Sequence, residues 1–248
     1  MTAINWSSGG FEKVSTEIKK RLFLSLQGME KSGKTNFALT APGPLGLLNL
    51  DRGLEGVVHK FAGSKVIMEK KIDYPNFDPR MDPAKIMALY AKPWDEFLAA
   101  WNFALKNART VVVDSFTEAY ELIRLARFGK LTQVMPHHYQ LVNSEINSMM
   151  NVAYSSNANI ILIHKLKDEY VANNRTGKKE FSGQKDVPFK VQINIETFRD
   201  EKDGEFKLRV LNCRQNSELW NEVFSGPIAS FPFVAQAVYP ETDISDWE

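Results

Sequence analysis

The residues Gly28-Met-Glu-Lys-Ser-Gly-Lys34-Thr35 follow the spacing G-x-x-x-x-G-K-[ST], the pattern of a phosphate-binding P-loop. Gly28 and Gly33 permit a backbone that wraps an anion at close range. Backbone N–H groups over Lys31, Ser32, Gly33, Lys34, Thr35 and Asn36 would point at phosphate oxygens, helped by the positive end of the helix that follows. Lys34 supplies a cation for β- and γ-phosphates, and the Thr35 hydroxyl is a hard ligand suited to Mg²⁺. The implied cofactors are ATP and Mg²⁺. Such a loop also needs a carboxylate on the metal side at the end of a neighbouring strand, and Val111-Val-Val-Asp114 offers one. Asp51, closing the run Leu45–Leu50, is placed to orient the attacking group. Glu55 competes for that role, and an N-cap is the structural alternative for Asp51. His164 ends a further apolar run; it reads either as a sensor of the γ-phosphate or as a buried structural histidine.

These groups need a frame. Arg21–Leu26 alternates as a strand, Gly28–Thr35 is a glycine-bounded loop, and Thr35–Thr40 starts a helix stopped by Pro42-Gly-Pro44. Leu45–Leu50, Lys65–Ile72, Thr110–Val113 and Asn159–Ile163 read as strands. Pro83–Tyr90, Trp94–Lys106, Thr117–Phe128 and His137–Ser156 read as helices, with Trp94, Phe97, Leu98, Trp101 and Leu105 on one core face. This alternation predicts an α/β fold: a mostly parallel sheet flanked by helices. Tyr170–Gln184 is polar and reads as an exposed hairpin or loop. Phe189–Phe198 and Glu205–Leu211, joined by Asp203-Gly204, predict a C-terminal antiparallel hairpin.

The 248 residues carry 44% hydrophobic and 25% charged side chains, an ordinary globular balance. No apolar run is long enough to cross a membrane. The polar N-terminus lacks the pattern of a signal peptide, and the single cysteine allows no internal disulfide. A cytoplasmic, reducing location is expected. Net charge is +1, but its distribution is uneven. His164–Lys190 holds seven basic residues against four acidic ones, whereas beyond Arg214 there is no Lys or Arg and six acids. The reading is three regions: an N-terminal extension (1–20), a core (21–213) and an acidic tail (214–248) whose last eight residues fray. Cations and rings in the basic stretch (Lys167, Tyr170, Arg175, Lys178, Lys179 and Phe181, with flexible Asn173-Asn174 and Gly177) are what sequence-tolerant single-strand binding requires. The acidic tail would oppose it; two inert, solvated surfaces are the alternative.

Gly28-Met-Glu-Lys-Ser-Gly-Lys-Thr35 resembles the RecA-type P-loop. Leu47-Leu-Asn-Leu-Asp51-Arg-Gly-Leu-Glu55 resembles the RecA segment bearing the catalytic carboxylate, with Asp51 in place of Glu. Val111-Val-Val-Asp-Ser115 resembles the RecA Walker B strand, and Ile160-Ile-Leu-Ile-His164-Lys-Leu-Lys resembles the strand entering the second DNA-binding loop. Over residues 21–213 the chain looks most like phage RecA-like ATPases that support single-strand annealing. The resemblance implies a RecA-like P-loop NTPase core, DNA-dependent ATP hydrolysis, single-stranded DNA as partner and a role in recombination. It also implies a homo-oligomer (ring or filament), a single-strand-binding protein as a further partner, and the host cell cytoplasm as location. RecA's long N-terminal assembly element is absent, and Asp51 is shorter than Glu, which implies slow hydrolysis. The alternative is a P-loop kinase of a nucleoside or small metabolite. Its lid would need paired arginines, for which Arg124 and Arg127 are the nearest pair. His137-His138 lacks the further ligands of a metal site.

Overall fold

The computed structural model describes residues 10–61, 63–172 and 174–248; the sequence readings on residues 1–9 and on Asn173 lie outside them. The chain forms β1 (Phe23–Gly28), α1 (Lys34–Leu39), β2 (Leu45–Asn49), β3 (Ile67–Lys71), α2 (Pro83–Asn107), β4 (Thr110–Asp114) and α3 (Phe116–Phe128). It continues with α4 (Tyr139–Ser155), β5 (Asn159–Val171), β6 (Asn174–Ser182), α5 (Val187–Lys190), β7 (Ile193–Arg199), β8 (Phe206–Cys213), β9 (Val223–Ser225) and α6 (Phe231–Val238). The strands order as β3-β2-β4-β5-β1-β7-β8-β9, with β6 hydrogen-bonded to the outer part of β5. Strands β3, β2, β4, β5, β1 and β7 are parallel, and β7–β8–β9 finish antiparallel. This is the expected α/β class, a mostly parallel sheet flanked by helices, with β5 inserted between the P-loop strand β1 and β4.

The period-two pleat divides each central strand between two cores. Val111, Val113, Ile160 and Leu162 pack with α2, α3 and α4 on one face. Val112, Ile161, Ile163, Leu24 and Leu26 pack with α1 and α6 on the other. That parity decides which strand-end residues reach the phosphate loop.

Three expectations change. The two helices expected over 83–106 are one, α2, with Pro93 inside it. Proline removes a ladder hydrogen bond, but burial of Trp94, Phe97 and Trp101 keeps the helix continuous. The first of the two late strands begins later than expected, because Val187–Lys190 is a helical turn. Residues 214–248 are not a tail. In α6, Phe231, Val234, Ala235 and Val238 are buried in the same cluster as β1 and β7. The final residues close a short 3₁₀ turn with a capping box between Asp243 and Asp246. There Trp247 is fully buried, stacks on Tyr239 at 5.8 Å and donates its indole N–H to Thr242 Oγ1 at 2.8 Å. An apolar residue pattern fastens this acidic stretch to the core, so its last eight residues do not fray.

Candidate functional site

At the end of β1 the chain turns through Gly28–Gly33. A Cβ on Gly28 would lie 2.2 Å from Thr197 Oγ1 and 2.6 Å from Ser32 Oγ, so only glycine fits there. Gly33 has φ +92°, and a Cβ there would meet the Phe206 ring at 2.4 Å. Ser32 Oγ donates to the Met29 carbonyl at 2.7 Å and shares a 2.6 Å hydrogen bond with Thr197 Oγ1. The loop is thus braced from outside its own sequence by β7 and β8. Thr197, Phe206 and Arg199, which lies 3.5 Å from the Lys31 carbonyl, carry no sequence signal.

Gly28, Lys31, Ser32, Gly33, Lys34, Thr35 and Asn36 line one cavity of about 780 Å³, together with Asp51, Glu55, Asp114, Lys165 and Arg199. Lys34 Nζ folds back on the carbonyls of Gly28 (2.9 Å) and Met29 (2.7 Å). Burial lowers its pKa, opposed by Asp114 and Asp51. Thr35 Oγ1 donates to Asp114 Oδ2 at 2.8 Å, across the gap that β5 leaves between β1 and β4. Asp114 is 2% exposed; burial, and then the charge of Asp51, push its pKa up to about 7, against the Thr35 hydrogen bond and Lys34. A carboxyl raised to that level first by burial and then by a neighbouring carboxylate is a place where a cation relieves an electrostatic cost. Thr35 and Asp114 are hard oxygen donors that fit Mg²⁺. Among the described residues no group of three or more His, Cys, Asp or Glu could hold a metal alone.

Asp51 and Glu55 both line the cavity. Asp51 Oδ1 accepts from Gly53 N–H at 2.9 Å, a turn contact rather than a helix cap, and Oδ2 lies 3.9 Å from Lys165 Nζ.

His164 is not at the phosphates. It shares strand parity with Ile160 and Leu162, so it turns to the opposite core and is fully buried against Phe116 (5.4 Å) and Phe181 (4.2 Å). Neither ring nitrogen makes a well-formed hydrogen bond, and burial drives its pKa down to about 3 despite the nearby Ser182 backbone. Lys165, one residue on, takes the cavity face. It pairs in register with Gly28 and forms an ion pair with Glu118 of α3. Burial lowers its pKa, but the hydrogen bond and charge of Glu118 overcome this and raise it overall.

The basic stretch is the β5–β6 hairpin, continuous with the β5 strand that enters the site. Its cations are largely balanced within it: Lys167 pairs with Glu180 (3.1 Å), and Arg175 (2.8 Å) and Lys179 (2.6 Å) both pair with Asp168. Lys178 is exposed, and Tyr170 is 60% exposed. Phe181, expected as a stacking ring, instead packs half-buried on His164. Arg124 and Arg127, the candidate lid pair, do not line the P-loop cavity: Arg124 binds the Leu131 carbonyl and Arg127 binds Glu145. His137 and His138 meet edge to face at 4.2 Å.

The fold is an α/β sheet, mostly parallel and flanked by helices, with a P-loop motif at the end of β1. The chain matches the AAA domain family over residues 20–200 and belongs to that family. Among solved structures it is similar to the RadB recombinase, at 13% identity over 82% of this chain and 86% of that one, with a TM-score of 0.47. No curated protein matches its sequence. No helix among the described residues is long and apolar enough to cross a membrane.

Proposed function

We propose that this protein binds and hydrolyses MgATP and couples the reaction to single-stranded DNA, in recombination by annealing or strand exchange. A single observation supports it best: the strand that carries Lys165 into the P-loop cavity runs on, past a register shift at Asp168–Tyr170, into the exposed basic hairpin. On this reading Lys34 exchanges the Gly28 and Met29 carbonyls for β- and γ-phosphate oxygens. Thr35 and Asp114 hold Mg²⁺, which offsets phosphate charge. Asp51, with Glu55 as its competitor, orients the attacking water, and the P-loop N–H groups hold the charge that develops on the phosphates. Exposed Lys178 and Tyr170 supply a phosphate contact and a stacking ring. The protein acts as a homo-oligomer, in the host cytoplasm if phage-encoded, with a single-strand-binding protein as a further partner.

ATP turnover measured with and without single-stranded DNA tests the reading. Strong stimulation is expected, with near-complete loss in Lys34→Ala at unchanged circular dichroism. Stimulation by a nucleoside instead would favour the kinase, against which the placement of Arg124 and Arg127 already speaks.

A further inference from the structure

The P-loop is tied to the neighbouring strand by a chain of two buried hydroxyls. Thr197 of β7 stands opposite Gly28 in the parallel register and is 1% exposed; Ser32 is 3% exposed. Their hydroxyl oxygens lie 2.6 Å apart, and Ser32 Oγ lies 2.7 Å from the Met29 carbonyl. A hydroxyl has one proton to give. If Ser32 gave its proton to Thr197, the Met29 contact would hold none, and Thr197 would be left with the Gln27 carbonyl at 3.3 Å. In the opposite sense both short contacts are hydrogen bonds. The chain therefore runs from Thr197 to Ser32 to the Met29 carbonyl. That carbonyl has two further donors, Lys34 Nζ at 2.7 Å and the Ser32 N–H at 3.3 Å. Thr197 itself does not line the phosphate cavity.

We propose that Thr197 is a positioning residue for the nucleotide: by donating to Ser32 it keeps the Ser32 hydroxyl on the Met29 carbonyl, so that Lys34 can leave that carbonyl for a phosphate while the loop keeps its shape. The inference rests on the nucleotide reading above. In the empty protein the carbonyl has three donors, and the loss of one is tolerated. Once Lys34 and the Ser32 N–H turn to phosphate oxygens, the Ser32 hydroxyl is its remaining donor, and a buried carbonyl left without a partner is costly. Thr197 fixes which way that hydroxyl points. Its hydrogen bond therefore counts for more with nucleotide bound than without, and a contact stronger in the bound state than in the empty one adds to affinity. Di- and triphosphates both draw Lys34 away from Met29, so Thr197 serves the two alike. It acts through Ser32, and no bond forms or breaks on it.

The test is the affinity of the full chain for a fluorescent ADP and for a fluorescent non-hydrolysable ATP analogue, both with Mg²⁺, alongside urea midpoints of the empty protein. Thr197→Ala should weaken both nucleotides about 3- to 10-fold, the scale of one net hydrogen bond, and by the same factor. Thr197→Ser keeps the hydroxyl and should restore both affinities. Ser32→Ala breaks the chain from the loop side, so Thr197→Ala on that background should cost little more, the non-additivity expected of residues that act as one unit. Ser32→Ala alone, with equal loss for the two nucleotides, serves if Thr197→Ala does not fold. A residue that only supports the fold would lower the urea midpoint and leave both affinities unchanged. That result, additive losses in the double variant, or a loss confined to the ATP analogue would each overturn the role of Thr197 and leave the nucleotide site standing. If the unmodified protein binds neither nucleotide, both readings fall.

Discussion

The hairpin and the segment 214–248 are the two charged regions of the chain, and they behave in opposite ways. The hairpin grows from the end of β5 beside Gly28, on the phosphate side of the sheet, and its charge faces solvent. The last residues of the acidic segment close under the other end. Arg109, just before β4, donates to the carbonyls of Glu248 (2.5 Å) and Asp246 (2.7 Å), and Lys20, just before β1, pairs with Asp246 at 2.6 Å. The length of β4, five residues at about 3.3 Å each, separates the two by roughly 16 Å. That is more than a Debye length of about 8 Å at physiological salt. The acidic stretch is therefore a buried clasp with a charged rim, and it is badly placed to compete for the hairpin. A run of like charge says little about position until the apolar residues within it are counted.

The sharpest way to break this contrast is Trp247→Ala. It should cost about 3–5 kcal/mol of stability, read as a lower urea midpoint, and leave oligonucleotide affinity unchanged in the folded protein. Tighter DNA binding after this change, or after loss of residues 241–248, would restore the competing tail.

The next effect belongs to His164 beneath the hairpin. Its folded pKa of about 3 lies below its ordinary value of 6.5. The stability it contributes is therefore complete above pH 6.5 and is lost as pH falls toward 3. Between those limits the unfolded chain binds a proton that the folded one refuses. His164→Leu should flatten that slope, measured as urea midpoints at pH 4.5 and 7.5, and should leave ATP affinity intact. A loss of ATP binding would return His164 to the phosphate site.

Smaller effects are expected on the hairpin surface. Tyr170→Ala should weaken single-strand binding by about 1–3 kcal/mol with little change in salt slope, as loss of a stacked base would. Lys178→Ala should weaken it less, for all base compositions, and lower the salt slope by about one. Unchanged anisotropy titrations for both variants would move DNA binding off this hairpin.

Much of the site was legible in the sequence because phosphate chemistry demands fixed residue types at fixed spacing. The P-loop, Asp114 and Asp51 all reach the cavity. The mostly parallel sheet around them follows from the alternation of apolar strands with helices, whereas the strand order does not. The choice at His164 between a sensor and a buried structural histidine turns on parity: a one-residue step along β5 crosses the sheet, and Lys165 shares the face of Ile161 and Ile163 while His164 does not. Phe181 was misread for a related reason, since a ring in a polar stretch can pack inward as readily as stack outward. The clasp at the C-terminus did leave a signal, Phe231, Val234, Ala235 and Val238 at helical spacing, but the surrounding acids masked it. Thr197 and Phe206 left none, because a hydroxyl and a ring that brace a loop distant in sequence keep no fixed spacing from it.

The bracing of the P-loop by Thr197 and Phe206 bears on where the working module ends. The match to the AAA domain family stops at residue 200, between β7 and β8. A fragment cut there would retain the P-loop, Asp51, Asp114 and Lys165, yet it would lack the Phe206 ring that walls Gly33. It would also lose the β8 partner that keeps β7, and with it Thr197, in register against Ser32. A unit able to brace the loop therefore reaches past the family boundary to include at least β8, and truncation at that boundary would yield a protein with its motifs complete and its loop unsupported.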